Sequence, residues 1–71
     1  MPYDAERLHK QAEEMIEKFY GYVTDVKIIN VETKDQQILV KGTFKDLASG
    51  NLKDFSMRLD QTRRLLDFSI K

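Results

Sequence analysis

The chain has no cysteine, no tryptophan, one proline and three glycines in 71 residues. Without cysteine there is neither a disulfide nor a thiolate metal site to brace the fold. The same lack fits a reducing compartment, and a cytoplasmic location is the expectation. An excess charge of either sign is missing too, because twelve Lys and Arg balance twelve Asp and Glu. Nucleic-acid binders usually carry a basic surplus that displaces counterions, so nucleic acid is not the expected partner. No apolar run is long enough to span a bilayer. Met1-Pro2-Tyr3-Asp4 lacks the basic and apolar regions of a signal peptide.

What is there suffices for one domain over residues 1–71 and no second core. A chain of this size buries only about 60% of the surface its unfolded form exposes, so stability depends on good packing or on a partner.

The N-terminal third reads as an amphipathic helix. Asp4 is placed to cap its first turn. Ala5, Leu8, Ala12, Met15, Ile16 and Phe19 then recur at three- and four-residue steps, with Glu6, Arg7, Lys10, Glu13, Glu14, Glu17 and Lys18 mostly opposite. Glu6 with Lys10 and Glu14 with Lys18 form i,i+4 pairs in the favourable order, and Gly21 suits a left-handed stop.

Beyond Gly21 the period changes to that of strands. The β-branched run from Val23 to Val31 predicts a first strand, but Val26 and Ile28 point one way and Ile29 and Val31 the other. A twist or bulge would reconcile them. Thr33-Lys34-Asp35-Gln36 is the expected turn. In the second strand Ile38, Val40, Gly42 and Phe44 share a face, and Leu39, Lys41, Thr43 and Lys45 share the other. A loop around Ser49-Gly50 leads to a third strand with Phe55, Met57 and Leu59 inward, and Asp54, Ser56, Arg58 and Asp60 outward. A turn at Gln61-Thr62 then starts a fourth strand, with Leu66, Phe68 and Ile70 inward and Leu65, Asp67 and Ser69 outward. A C-terminal helix is the alternative for residues 62–71, and the alternation favours the strand.

A register follows from these hairpins. Phe44 should face Phe55, Gly42 face Met57, and Val40 face Leu59; then Leu59 should face Arg64, Met57 face Leu66, and Phe55 face Phe68. Lys45 with Asp54 and Arg63 with Asp60 would be opposite-charge pairs on the outer face. The predicted fold class is α+β: one N-terminal amphipathic helix packed on one face of a four-stranded antiparallel meander. Gly42, in mid-face, would either admit the ring of Phe19 or the helix, or mark a bulge.

Candidate chemistry is sparse. His9 is the only histidine, and with Glu13 it offers two ligands where a metal site needs three or four. Asp54, Asp60 and Asp67 have basic neighbours and read as solvated charge, not as general acids. Arg63-Arg64 with Arg58 nearby could meet a phosphate or an acidic peptide, although Asp60 and Asp67 dilute its field. Tyr3, Tyr20 and Tyr22 suit an interface or the rim of the core. No catalytic residue, metal or cofactor is expected.

More suggestive is a stripe of Ile29, Leu39 and Leu65 across the face that should be wet, with Arg58 beside it. Such a strip on a small domain marks a partner or dimer surface unless the Arg58 and Lys41 stems cover it. An exposed edge strand offers a second route to a partner.

A helix followed by this meander, with Phe55-Ser-Met-Arg-Leu-Asp60 turning into Leu65-Leu66-Asp67-Phe68, resembles the small cystatin-like and PepSY-like domains. It is similar, more loosely, to the gas-vesicle accessory protein O family. The resemblance implies a binding or accessory role and supplies no enzymatic residue. The expected function is therefore a non-enzymatic interaction module, either partnering another protein or forming a homodimer. A small-ligand site between helix and sheet, lined by Phe19, Gly42, Phe44 and Met57, is the alternative.

Overall fold

A computed structural model describes residues 5–71. Asp4 and Tyr3, proposed as a cap and as an interface aromatic, lie outside the described residues. The helix α1 runs Ala5–Phe19, followed by β1 (Val23–Lys34), β2 (Gln37–Asp46), β3 (Leu52–Leu59) and β4 (Leu65–Ile70). The strands form one antiparallel sheet in the order β1-β2-β3-β4, as the alternation predicts, and residues 65–70 form a strand and not a helix.

The helix ends where the glycine suggests. Tyr20 and Gly21 both donate their amides to the Ile16 carbonyl, and Gly21 turns the chain out at φ 137°. Leu8, Ala12 and Ile16 face the sheet with no exposed surface. They meet Val26, Val40, Phe44, Phe55, Met57 and Leu59, which complete the core. Each fully buried Leu, Ile, Val, Phe or Met side chain contributes about 1.5–3 kcal/mol relative to exposure.

The first strand resolves its conflict of facing with two bulges, one between Thr24 and Lys27 and one between Ile28 and Asn30. The second takes Ile29 out of the ladder, so that Ile28 and Val31 both pack against the core while Ile29 stays 67% exposed. Asp25, in the first bulge, is left-handed at φ 53°. The first hairpin turns through Asp35 and Gln36 alone, at φ 52° and 63°, with Lys34 opposite Gln37. Two consecutive positive φ values match the right-handed twist of the flanking strands.

Apart from Leu65 and Leu66, the other two hairpins keep the predicted inward face, but they do not keep the predicted register. Gly42 lies opposite Phe55, Val40 opposite Met57, and Ile38 opposite Leu59, a slip of two residues. Asp54 consequently faces Thr43, and Lys45 faces Leu52, so the expected Lys45–Asp54 pair does not form. Asp46 is the cause. Its carboxylate accepts from the Ala48 amide at 2.9 Å and the Ser49 hydroxyl at 3.1 Å, its carbonyl accepts from the Gly50 amide, and its own amide donates to the Asn51 carbonyl. That wraps the loop from Asp46 to Asn51.

In the last hairpin Met57 lies opposite Phe68 and Phe55 opposite Ile70, while Leu59 lies opposite Leu65, with a bulge between. Leu66 is the extra residue. Leu65 therefore packs against the core, contrary to its expected outward facing, and Leu66 is 46% exposed where burial in the core was expected. Gly42 is a close-approach glycine: a Cβ there would lie 2.7 Å from the Phe55 ring and would also strike the Lys27 carbonyl. The ring is that of Phe55, not Phe19.

Candidate interaction surface

The outer face of the sheet is mostly polar, interrupted by Leu39 and the bulged Ile29. Lys41 and Thr43 of β2 sit beside Ser56 and Asp54 of β3, and the Ser56 and Ser69 hydroxyls hydrogen-bond at 2.7 Å across β3 and β4. A shallow groove of about 390 Å³ runs between Ile29, Lys41, Thr43, Asp54, Ser56 and Lys71. Leu39 is half-buried and lies opposite Arg58, which in turn lies opposite Asp67. Of the four predicted interface residues the structure brings Leu39 and Arg58 together, puts Ile29 on the β1 bulge, and moves Leu65 to the other face. The apolar stripe is thus shorter than expected and runs between charges.

The apolar surface that sequence reasoning missed lies on the helix side, at the β4 edge. Phe19 is 59% exposed although it belongs to the apolar helix stripe. It stacks on Phe68 with centroids 5.6 Å apart. Together with Leu65, Leu66 and Ile70 these rings line a groove of about 380 Å³ along β4. The adjacent leucines at 65 and 66 were the signal, because a strand must turn one of two such neighbours away from its core.

Behind the groove the rings continue inward. Phe68 stacks on Phe55 at 6.3 Å, Phe55 tilts against Phe44 at 6.3 Å, and Phe44 meets the edge of Tyr20 at 5.2 Å. The contacts string five rings from Phe19 to Tyr20, two residues that are neighbours in sequence.

Most polar groups with candidate chemistry are committed to holding the fold. His9 Nε2–H donates to the Val26 carbonyl at 2.7 Å, beside the first β1 bulge, and Nδ1 lies 3.4 Å from Glu13. Gln11 donates to the Arg63 carbonyl at 2.9 Å, tying the helix to the β3–β4 loop. The Tyr20 hydroxyl donates to Asp46 at 2.8 Å. That hydrogen bond, with the Ala48 amide, holds the Asp46 carboxyl below the ordinary carboxylate range and pushes the Tyr20 phenol up. Asp60 accepts from the Thr62 hydroxyl at 2.7 Å, the Thr62 amide at 2.8 Å and the Arg64 amide at 3.0 Å. The Thr62 hydroxyl and the Arg64 amide are the main reasons its carboxyl is lowered too.

Arg58 and Arg63 sit in different settings. Arg58 faces Asp67 on the outer sheet, whereas Arg63, left-handed at φ 68°, shields one guanidinium nitrogen from solvent. Among the described residues no three His, Asp or Glu side chains are grouped to hold a metal ion, and no helix is long and apolar enough to cross a membrane. The space between helix and sheet is filled, since Phe44 and Met57 are fully buried and the Phe55 ring lies over Gly42.

No family model, curated protein or solved structure matches the chain.

Proposed function

We propose that the chain is a non-enzymatic interaction or accessory module that works through its sheet surface and its β4 edge. One observation carries this reading: two exposed large apolar side chains, Phe19 and Leu66, line one groove along β4, an edge strand that among the described residues pairs with β3 alone. Side-by-side apolar and backbone polar groups are what a strand-adding partner uses, taking affinity from main-chain hydrogen bonds and specificity from the flanking pockets. The commitment of His9, Asp46 and Asp60 to structural hydrogen bonds supports a role without catalysis. The cystatin-like and PepSY-like resemblance points the same way. A protein partner or a second copy is the expected ligand.

A photo-crosslinking side chain placed in turn at Phe19, Leu66, Ile29, Leu39 and, as a control, Glu17 on the exposed helix face tests it in native lysate. Protein adducts confined to the β4 edge or the outer sheet support the module. Equal labelling at Glu17, or no protein adduct anywhere, would count against it.

A further inference from the structure

Resting on that reading, we infer that the β4 edge pairs with the β4 edge of a second copy, antiparallel and centred on Ser69. The hydrogen-bond phase of β4 sets which groups are free. Lys71 donates its amide to the Asp54 carbonyl at 2.9 Å, so Lys71, Ser69 and Asp67 turn their backbone groups toward β3. Phe68 and Ile70 therefore turn theirs to the open side. An antiparallel partner must match outward groups with outward groups. A twofold axis at Ser69 does this by placing Phe68 of each copy opposite Ile70 of the other.

The side chains select the same register. Phe68 and Ile70 both lie on the helix side, where they pack against the core, so the cross-pairs are apolar on both sides of the axis. On the outer side Asp67 of each copy falls opposite Lys71 of the other. Two opposite-charge pairs form across the junction, extending the Arg58–Asp67 and Asp54–Lys71 neighbours that each chain already has across β3 and β4. Ser69 meets Ser69 at the axis, where a small side chain suits the close approach of a pair without mutual hydrogen bonds. Centring on Phe68 also satisfies the backbone, but it sets Asp67 against Ser69 and leaves both charges without a partner across the junction. The Phe19–Phe68 stack of each protomer is brought beside Ile70 of the other, covering apolar surface that the single helix leaves open.

The absence of cysteine makes the register directly readable. Single variants Ser69→Cys, Asp67→Cys and Lys41→Cys would be oxidised mildly at several protein concentrations, alongside light scattering of the wild type. Residues opposite each other at a pair of this kind lie within disulfide reach. The expected result is a wild type whose mass rises toward twice the chain with concentration, and a disulfide-linked dimer that forms fastest with Ser69→Cys. Lys71→Glu should weaken the dimer by about tenfold through two like-charge contacts. A dimer that links fastest through Asp67→Cys or Lys41→Cys would overturn this register while leaving the interaction module standing. A wild type that is monomeric at every concentration would overturn self-pairing, and the adduct pattern of the lysate experiment would then decide the module by itself.

Discussion

The Tyr20 hydroxyl sits 2.8 Å from the Asp46 carboxylate, linking the end of the helix to the end of β2 just where the β2–β3 loop begins. The same carboxylate organises that loop through Ala48 and Ser49, so one side chain fixes both the helix exit and the register of the β2–β3 hairpin. A proton on Asp46 should loosen all of these contacts together.

Stability should therefore fall in acid through Asp46 and Asp60. Both carboxyls are lowered in the folded state, so their contribution is full above the ordinary aspartate value of about 4 and disappears as pH drops through their lowered folded values. Tyr20 behaves in the opposite sense. Its phenol is raised, so its contribution is full below about pH 10 and is lost as pH climbs through the raised value. Urea midpoints measured from pH 2 to pH 6 (a range set by the ordinary aspartate value of about 4) should show a shallower acid slope in Asp46→Asn than in the wild type. Identical slopes would mean that Asp46 is held no differently in the folded and unfolded chains.

Gly42→Ala should destabilise by about 1–3 kcal/mol, the usual range for forcing an extra carbon into a packed core. The new methyl meets both the Phe55 ring and the Lys27 main chain. Trimming the ring with Phe55→Leu should relieve only part of the loss, because the Lys27 carbonyl stays in place. Chemical denaturation of the two single variants and the double variant measures this directly. A Gly42→Ala protein as stable as wild type would show that the β1 bulge yields easily.

Replacing His9 by Ala should cost about 1 kcal/mol and act locally. The Val26 carbonyl loses the donor that reaches it from the helix, at the site where β1 departs from its ladder. Amide exchange should quicken in residues 24–28 before it does in β2 or β3. Uniform acceleration across the sheet would mean that the bond contributes to global stability without pinning the bulge.

Ile16→Ala and Ile29→Ser should differ sharply although both remove the same side chain. Ile16 has no exposed surface and faces the centre of the core, so its loss should cost about 2–5 kcal/mol, a large share of the stability of so small a domain. Ile29 projects from a bulge into solvent, so its loss should change stability by no more than about 0.5 kcal/mol. Thermal melts of the pair would separate a residue kept for folding from one free to serve a surface.

Architecture was legible from periodicity because the inward face of β2 and β3 is one uninterrupted alternation. Val40, Phe44, Phe55, Met57 and Leu59 all end in the core as read. Register was less accessible, since a slip of two residues preserves every facing and leaves the pattern unchanged. What selects between such registers is turn chemistry, here the side-chain hydrogen bonds of Asp46 and Asp60, whose geometry composition does not reveal. Leu65 and Leu66 show the limit on the candidate surface. Either could face inward, and the five-residue turn from Asp60 to Arg64, closed by the Asp60 amide on the Arg64 carbonyl, turns Leu65 in and bulges Leu66. Ile29, by contrast, was readable as a misfit in its strand, and the bulge that accommodates it is the outcome the conflict demanded.

The bulges of β1 also set what kind of assembly the sheet can build. Joining β4 of one molecule to β1 of the next would leave a fresh end at every step and run on as a fibre. Asp25 and Ile29 break the outer rim of β1 twice, and the straight stretch that remains carries Glu32 and Lys34, so that rim is a poor template for another strand. With one side of the sheet blunted, any growth through β4 would end at two copies, and the irregularities that accommodate the core of a single chain would also guard against open-ended polymerisation.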